Sequence, residues 1–526
     1  MKAVGRIPAW LVVGAASLAF FLITLAANFS ASHDSIHYLN GIVSGSDLFH
    51  QHHLLYHVSA YYWLKLWQLV FSTVPDYYII ESFTALWGSA SLALIYCFFK
   101  NRFGLSPLRS IIGVSVIAFS YGFWFYSVNI ETYAPPIFFI LTALYILSGD
   151  RFSSKDIWKL ALAHCMAILF HQASVLFAPT ILFTLFWNRK HIALPGALIQ
   201  YLLIGIGLVG GLYFFIGWFI TGHDSWADWT RWIQGYTVGH GFWQPLSLKT
   251  PFYALAGFSR AFIGGHFLFQ IPFLKDIFDR SFASHGLNDE LFLTASMGGS
   301  MAILLTVLSV ALGLLLLLML VRFARKYKTI RKAHARIVQP VLICIATYSL
   351  FFCFWMPEIL EFWILQMALA WLLLIGATPL TGFPLRIPVT SGLILTALIV
   401  FSINFFGSMR WLRHLENDWY YAQTKQIGGA AEKGDMILTE DGWIIKDFLR
   451  YFTPALVYAP DDPGYSAGET DRAIESALAS NRKVFIYRRP NPNDPAIAGY
   501  IDALLERESR RKKAFNEKDP EVYVLE

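Results

Sequence analysis

The stretch ASHDSIHYLN at 31–40 gathers side chains that can exchange protons, and it begins a few residues after the first apolar run. Asp34 lies between His33 and His37, and Tyr38 follows. In a helix, Asp34 would share a face with His37 and Tyr38, three and four positions further on. An acidic side chain at a membrane boundary is costly unless it is solvated, paired or used. The stretch therefore predicts either a solvated helix end or a general base that faces a substrate.

His33 and His37 also have the i, i+4 spacing with which the motif H-E-x-x-H binds zinc. Here aspartate occupies the position of the metalloprotease base, and no third ligand follows at a characteristic spacing. These departures argue against a zinc protease. A divalent metal ion bound by Asp34 and other loop groups stays open as a cofactor, and no other cofactor is indicated.

Histidines are concentrated near this stretch. Six of the fifteen histidines lie between residues 33 and 57, and the sequence HQHHLLYHVSAYYWL contains His53 and His57. Imidazoles donate hydrogen bonds and exchange protons near neutral pH. An ordinary loop at the membrane interface, where such amphipathic side chains are common, is the structural alternative.

Polar residues also interrupt later apolar segments. NIETYAPP places Glu131 and Tyr133 directly before two prolines, and LFHQASVLFAP places His171 and Gln172 inside an apolar run. Polar groups in such segments are costly without a partner or a function. Each has a structural alternative: Glu131 ends a helix, and His171 and Gln172 form a hydrogen-bonded packing pair.

The composition indicates which elements must position these groups. Hydrophobic residues make up 56% of the chain and charged residues 14%, against roughly 25% charged residues in soluble domains. Apolar runs recur and approach the ~20 residues that span a bilayer as a helix. The chain is therefore predicted to be an α-helical polytopic membrane protein in contact with membrane lipids. Its net charge of +6 lies largely in short basic loops and requires no nucleic acid as a partner.

Two basic segments orient the chain. KNRFGLSPLRS at 100–110 and RFARKYKTIRKAHAR at 322–336 are rich in Lys and Arg and are therefore placed in the cytoplasm. Counting between them predicts about 11 transmembrane helices in the inner (plasma) membrane, with two short helices meeting near His171. The outer loops then cover residues 29–78 and 221–295.

The composition changes after about residue 410. Four runs read as buried strands: 435–439, 455–459, 484–488 and 521–525. Helical patterns lie between them, and this alternation predicts a small α/β domain with a largely parallel sheet. Residues 1–410 are thus predicted to form a transmembrane domain, and residues 411–526 an extracytoplasmic α/β domain.

The pattern resembles the polytopic GT-C glycosyltransferases, in particular bacterial protein mannosyltransferase-like and aminoarabinose-transferase-like enzymes. The likeness rests on an acid soon after the first span, in HDSIHY, and on the His-rich stretch that follows. It rests also on the E-x-Y sequence Glu131-Thr132-Tyr133 and on paired short helices around His171. These features cover about residues 8–220, and the rest of the chain agrees in general layout.

The resemblance implies transfer of a sugar from a polyprenyl-phosphate-linked donor to a hydroxyl of a lipid, glycan or protein acceptor on the extracytoplasmic face. Asp34 would be the general base that takes the proton from the acceptor hydroxyl. Hydrogen-bond donors and cations would stabilise the phosphate leaving group. The residues expected in that role are His53, His57, His171 and Arg260. The other residues expected to bind substrate are His37, Tyr38, Glu131 and Tyr133.

Two other functions compete with transfer. A transporter or flippase of a lipid-linked or sugar substrate would show repeated halves and unwound helices near the midplane, and the sequence contains no internal repeat. A non-catalytic membrane scaffold would explain the α/β domain, but it gives no role to Asp34, Glu131 and His171. Transfer is therefore the favoured interpretation, with transport as its main alternative.

Overall fold

The computed structural model describes residues 7–150, 152–190, 192–235, 242–281, 288–377, 388–439, 443–459, 467–488, 495–516 and 521–526. Parts of the predicted outer loop 221–295, namely 236–241 and 282–287, lie outside the described residues. The helices before the α/β region are α1 (Ala9–Ile23), α2 (Asp34–Ser44), α3 (Tyr56–Gln68), α4 (Asp76–Cys97), α5 (Pro107–Ala118), α6 (Tyr121–Phe125), α7 (Ala134–Leu147), α8 (Ile157–Phe170), α9 (Ala178–Trp187), α10 (Leu194–Gly205), α11 (Gly211–Phe215), α12 (Trp226–Gln234), α13 (Thr250–Phe262), α14 (Pro272–Ser281), α15 (Asn288–Leu293), α16 (Gly299–Phe352), α17 (Ile364–Gly376), α18 (Val389–Asn404) and α19 (Arg410–Leu412).

Long apolar helices identify an integral membrane protein. Among the described residues, four helical segments are long and apolar enough to cross a membrane: Asp76–Arg102, Leu194–Ile220, Gly299–Phe352 and Val389–Leu412. Shorter apolar helical segments accompany them: Ala9–Ile23, Pro107–Ala118, Ala134–Leu147, Gln172–Trp187 and Leu360–Gly376. The predicted helical membrane architecture is confirmed, and the number of eleven spans stays a prediction.

One predicted cytoplasmic loop is helical instead. The basic stretch 322–336 lies within α16, in which two helical parts meet at a kink at His334 (φ −131°, ψ 32°). Lys and Arg are good helix formers, so the charges that mark a membrane exit do not end the helix. Pro340 follows inside the same helix. The prediction of a loop was wrong here because positive charge reports topology and not secondary structure.

The predicted break at His171 is confirmed. α8 ends at Phe170, and His171 itself is extended (φ −158°, ψ 117°). A 3₁₀ turn follows at Gln172–Phe177, and α9 then begins with a proline in its first turn. This interruption exposes backbone groups that neighbouring segments must satisfy.

Two compact units divide the chain. The first, named the membrane unit here, comprises Met1–Ala27, Gly41–His285 and Thr294–Arg413. The second, named the α/β unit, groups Asn28–Asn40 and α15 with His414–Glu526. Asp34, His37 and Tyr38 therefore pack within the α/β unit, and the predicted boundary at residue 410 stays a prediction.

The α/β unit contains a five-stranded sheet. Its elements are α20 (Trp419–Ala430), β1 (Met436–Thr439), α21 (Trp443–Phe452), β2 (Leu456–Tyr458), α22 (Ala467–Ala479), β3 (Val484–Arg488), α23 (Pro495–Arg507), β4 (Lys512–Asn516) and β5 (Glu521–Leu525). The strand order is β2-β1-β3-β5-β4, with β1 parallel to β2 and β3, and with β5 antiparallel to β3 and β4. All four predicted strands are present, and β4 is additional. Its sequence KKAFN lacks the apolar pattern of a buried strand. Its lysines are typical of an exposed edge strand, which is the position of β4 in the sheet.

Helices cover both faces of this sheet. Ile437 of β1 packs on one face with Ile445 and Leu449 of α21. Met436 packs on the other face with Ile474 of α22. Successive strand residues point to opposite faces, so a strand that is covered on both sides is apolar throughout. This layering fixes α21, whose polar residues contribute to the site described next.

Candidate functional site

Asp34 is the first residue of α2, so the stretch is helical and Asp34 shares a face with Tyr38. The hydroxyl of Tyr38, one turn later, lies 3.4 Å from Asp34 Oδ2 and donates to it. The N-terminus of a helix favours a negative charge because the first backbone N–H groups point towards it. Asp34 is thereby placed where a carboxylate is tolerated close to apolar surroundings.

The residue before Asp34 has an unusual backbone conformation. His33 lies in the left-handed region with φ of +56°, which few non-glycine residues adopt. Such conformations cost of order 1–3 kcal/mol and persist only where surrounding contacts fix them. Here the backbone N–H of His33 donates to the carbonyl of Phe29 at 3.1 Å, and the side chain is paired as described below.

Each histidine beside Asp34 is paired with another aspartate. His33 Nε2 lies 3.7 Å from Asp289 Oδ2, and Asp289 belongs to α15. His37 Nδ1 lies 2.9 Å from Asp447 Oδ2, and Asp447 belongs to α21. The carboxylate cluster is defined here as Asp34, His33, His37, Asp289 and Asp447. Three separate segments of the chain therefore supply its charges.

The cluster adjusts the protonation of its members. Partial burial raises the pKa of Asp34, against the opposing influence of the His33 and His37 charges and the Tyr38 hydroxyl. Burial by itself would lower the pKa of His33, but the hydrogen bond to Asp289 and nearby carboxylate charges outweigh it and raise that pKa. A carboxylate with a raised pKa is a stronger base than an exposed one, as a general base requires.

Asp418 anchors the segment that carries Asp34. Its buried carboxylate accepts hydrogen bonds from the backbone N–H groups of Phe29 (2.6 Å) and Ser30 (2.9 Å) and from the Ser30 hydroxyl. It also accepts from the backbone N–H of Tyr421 at 2.9 Å and so caps α20. Burial raises the pKa of Asp418, although these donors oppose the shift. One carboxylate thus holds residues 29 and 30 to the first turn of α20.

Histidines form a second cluster, inside the membrane unit. The rings of His50 and His53 stack with centroids 4.3 Å apart and planes 10° apart. His53 also lies 5.7 Å from His57 and 5.8 Å from His171, between ring centroids. The histidine cluster is defined here as His50, His52, His53, His57 and His171. The structure therefore brings together three residues that the sequence assigned to phosphate binding.

Hydrogen bonds join the two segments that carry this cluster. The backbone N–H of Gln172 donates to the carbonyl of His52 at 2.8 Å, and His52 Nδ1 lies 2.9 Å from Gln172 Oε1. The backbone N–H of Leu55 donates to the carbonyl of Leu169 at 3.0 Å. The histidine-rich turn before α3 thus pairs backbone groups that the helix interruption at His171 exposes. This explains why the interruption lies beside that turn.

Hydrogen-bond partners indicate where the imidazole protons lie. His171 Nδ1 accepts from the backbone N–H of Ala173 at 3.2 Å, so a neutral His171 ring carries its proton on Nε2. His57 Nδ1 lies 2.6 Å from the carbonyl oxygen of Asp47 and must donate to it. Burial lowers the pKa of His53 well below its usual value, and neighbouring imidazoles lower it further. In its neutral form, His171 therefore presents Nε2–H as a hydrogen-bond donor.

Tyr133 connects the histidines with the half-buried carboxylate of Glu361. Its ring lies 5.0 Å from that of His171, between centroids, and its hydroxyl donates to Glu361 Oε1 at 2.7 Å. The hydroxyl of Tyr126 donates to Glu361 Oε2 at 3.1 Å. Charge-assisted hydrogen bonds of this kind are stronger than neutral ones. Glu361 therefore fixes the position of Tyr133.

A small, open cleft lies beside these groups in the membrane unit. Tyr133, His171 and Glu361 provide polar lining. Apolar and aromatic lining comes from Ile137, Ile140, Phe352, Phe362 and Leu365. A concave, mainly apolar surface with a few polar groups is typical of a small-molecule site. The arrangement suits a ligand with an apolar body and a polar end.

Glu131 is buried in the membrane unit, with 1% of its surface exposed. Its Oε2 accepts from the backbone N–H of Thr132 at 3.3 Å. It adjoins Tyr56, the first residue of α3. Burial raises the pKa of Tyr56, and the Glu131 charge raises it further, against a 3.0 Å hydrogen bond with Thr84. Glu131 thus neighbours the start of the helix that carries His57, and its role in orienting the acceptor stays a proposal.

Arg260 lies on α13, which packs against the 3₁₀ turn Leu360–Trp363 that carries Glu361. Gly257 permits this close approach, because a Cβ atom there would lie 2.4 Å from the carbonyl oxygen of Pro357. The helix that bears Arg260 is therefore fixed beside the Glu361 turn. A contact of Arg260 with phosphate stays a proposal.

A metal centre held by the protein alone needs several converging ligands. Among the described residues, no group of three or more His, Cys, Asp or Glu side chains has an arrangement that could hold a metal ion. The stacked His50 and His53 rings lie face to face, whereas ligands direct their nitrogen atoms at one point. A divalent ion bound by Asp34 together with other loop groups stays a proposal.

The fold places the protein in a known structural class. The chain has a GT-C-like fold, in which apolar helices are combined with a small C-terminal α/β region. It is similar over 98% of its length to 97% of ArnT from Cupriavidus metallidurans in the apo state, with a TM-score of 0.58 and 11% identity. ArnT from the same organism bound to undecaprenyl phosphate gives the same coverage and identity and a TM-score of 0.52. No family model and no curated protein matches the sequence.

Three aspartates of the site were not predicted from the sequence. Asp289, Asp418 and Asp447 lie between 250 and 420 positions after the stretch that they contact. Their neighbourhoods read as ordinary amphipathic helices and caps. Asp447 is buried within α21, but so is the adjacent Lys446, and no local sequence feature distinguishes Asp447 from an ordinary helical residue.

Proposed function

We propose that the protein is an inner-membrane glycosyltransferase that moves a sugar from a polyprenyl-phosphate-linked donor to an acceptor hydroxyl on the extracytoplasmic face. The observation that carries this proposal is the match of nearly the whole chain to ArnT, one structure of which contains undecaprenyl phosphate. The cleft in the membrane unit supports it, because a polyprenyl phosphate has an apolar body and an anionic end.

The transfer forms one bond and breaks one bond. The acceptor oxygen bonds to the anomeric carbon of the sugar, and the bond from that carbon to the phosphate oxygen breaks. The acceptor proton passes to Asp34, and the leaving group departs as the lipid phosphate. Proton removal by a positioned base typically contributes 10²–10⁴-fold to the rate.

The histidine cluster supplies hydrogen-bond donors for the leaving group. Negative charge grows on the phosphate as its bond to the sugar breaks, and fixed donors stabilise that charge. Neutral His171 is suited to this role. Its Nδ1 accepts a hydrogen bond from the backbone N–H of Ala173, so the ring proton is on Nε2 and can be donated to the phosphate. His57 donates through Nδ1 to a carbonyl, so its Nε2 can donate only when the ring is protonated.

A donor panel tests the proposal. The purified protein in liposomes is incubated with several polyprenyl-phosphate sugars and with lipid, glycan and peptide acceptors, and release of lipid phosphate is measured with and without a chelator. We expect release with at least one donor, and the rates with and without the chelator decide whether a divalent metal ion takes part. Failure with every donor, together with protein-dependent movement of a lipid-linked sugar across the bilayer, would favour the flippase alternative.

A further inference from the structure

Contacts between α2 and α21 join the candidate base to the C-terminal residues of the α/β unit. His37 Nδ1 lies 2.9 Å from Asp447 Oδ2. Asn40 Nδ2 donates to the backbone carbonyl of Asp447 at 2.9 Å. The ring of Trp443 meets the His37 ring edge-on, 6.1 Å between centroids. Asp447 is therefore connected to both His37 and the helix that carries it.

The two partners differ in exposure. The Asp447 side chain is 7% exposed and the His37 side chain is 50% exposed. A buried carboxylate needs a partner, and a carboxylate beside an imidazole favours the protonated ring. A protonated His37, three residues after Asp34 on the same helix, in turn favours the carboxylate form of Asp34. When the His37 ring is protonated, its positive charge lies between the carboxylates of Asp447 and Asp34.

The anchoring of α2 does not require this charge. Asn40 already binds α21 through a backbone carbonyl, and Asp418 already holds residues 29 and 30. Other charged or titratable groups that act on these residues include Tyr38, His33, Asp289, Glu290, Asp418 and Arg450. Arg450 Nη1 lies 3.8 Å from Asp447 Oδ1, on the same helix.

We propose that Asp447 is a positioning residue for the transfer reaction, which acts through His37 to hold Asp34 as a carboxylate ready to accept the acceptor proton. Through Asp447, the C-terminal residues of the chain thereby take part in the chemistry. The inference rests on the proposed function, in which Asp34 is the general base.

Carbodiimide labelling tests the charge relationship without any substrate, because the reagent reacts with protonated carboxyl groups. The full-length protein in detergent is labelled between pH 4 and pH 8 with a carbodiimide and glycine ethyl ester, and modification of Asp34 is quantified by mass spectrometry. In Asp447→Asn, the pH of half-maximal labelling should rise by about one unit, the lower end of the effect of an adjacent charge. His37→Gln should give the same rise, and the double variant no further rise.

Asp471→Asn is the matched control. Asp471 lies on α22 of the same unit and pairs with Arg507 and Tyr500, so its removal should leave Asp34 labelling unchanged. Asp447→Glu should restore most of the wild-type profile. The proposal is overturned by unchanged labelling in His37→Gln or in a folded Asp447→Asn variant.

Transfer assays then distinguish the role of Asp447 from the role of Asp34 as the general base. With an active donor, Asp447→Asn should move the acidic limb of the pH profile of kcat/KM upward by about one unit, with KM for the donor within about twofold of wild type. A decrease in kcat/KM that is equal at every pH would assign Asp447 a purely structural role. It would overturn this inference and leave the proposed function intact. Full activity of Asp34→Asn would instead remove the proposed base, whatever Asp447 does.

Discussion

The hydroxyl of Tyr133 donates a 2.7 Å hydrogen bond to Glu361, although 228 positions separate the two residues in the sequence. Tyr133 also contacts His171 through its ring, and all three side chains line the cleft. The carboxylate thus sets the position of a tyrosine that belongs to the proposed donor site. The first prediction tests this relationship.

Tyr133→Phe and Glu361→Gln should each lower kcat/KM for lipid-phosphate release, and their effects should not add. Residues that share a hydrogen bond typically couple by 0.5–3 kcal/mol. A double-mutant cycle measured with one active donor gives this coupling. Tyr126→Phe is the matched control: it removes a hydrogen bond to the other oxygen of Glu361, and a smaller loss is expected because Tyr126 is not among the residues that line the cleft. Additive effects would contradict the proposed arrangement.

Filling the cleft should weaken lipid binding. Ile140 lines the cleft, and Ile140→Trp adds an aromatic ring where the isoprenoid would lie. We expect binding of a polyprenyl phosphate, followed by native mass spectrometry, to weaken by about tenfold, which corresponds to 1.4 kcal/mol. Ile303→Trp on the exposed side of α16 is the control, since Ile303 is 59% exposed. Equal affinities in the two variants would argue that the lipid lies elsewhere.

The buried histidines should make the protein sensitive to acid. Burial lowers the pKa of His53 well below its usual value, whereas the unfolded chain titrates near about 6.5. Below that pH the unfolded state binds a proton that the folded state does not, so stability falls as the pH decreases and is unaffected above it. The midpoint of thermal unfolding should therefore drop between pH 7 and pH 5.

The same measurement on variants separates His53 from other titrating groups. His53→Gln should show a smaller drop over this pH range than the wild-type protein. His223→Gln is the control, because His223 lies in the same unit and is paired with Asp228 at 2.8 Å. A wild-type slope in His53→Gln would show that His53 does not carry the acid sensitivity.

Removing the anchor of the Asp34 segment should loosen it. In Asp418→Asn, an amide group replaces the carboxylate that accepts from the backbone N–H groups of Phe29 and Ser30. Loss of a buried acceptor typically lowers the free energy of unfolding by about 1–3 kcal/mol. Hydrogen exchange in peptides that cover residues 28–31 should accelerate. Asp502→Asn, which removes an exposed partner of Arg488, should leave those peptides unchanged. Equal protection in both variants would show that Asp418 is not the anchor.

The sequence was informative wherever the signal was local. Apolar length identified the helical membrane architecture, and the polar pair at His171 identified the break between α8 and α9. These features depend on neighbouring residues alone. Hydrophobic periodicity and helix geometry are sufficient to predict them.

The partners of these residues were not predictable in the same way. Nothing near Asp447 indicates that it pairs with His37, because the contact depends on how α21 packs in the folded unit. The long helix α16 was misread for a related reason: its basic residues carry a topological signal and also favour helix. Long-range pairing, and the helical segment that joins two apolar runs across a kink, therefore required the structure.

In the proposed reaction, Asp34 accepts the proton of the acceptor hydroxyl. Asp34→Asn keeps the size of the side chain and removes its basicity, while Asp224→Asn changes an exposed acid of the membrane unit and serves as the control. Both variants are assayed for lipid-phosphate release with an active donor and for polyprenyl-phosphate binding. We predict that Asp34→Asn loses about 10²–10⁴-fold in kcat while binding the lipid normally, and that Asp224→Asn matches wild type. Turnover of Asp34→Asn within a few-fold of wild type would contradict the account.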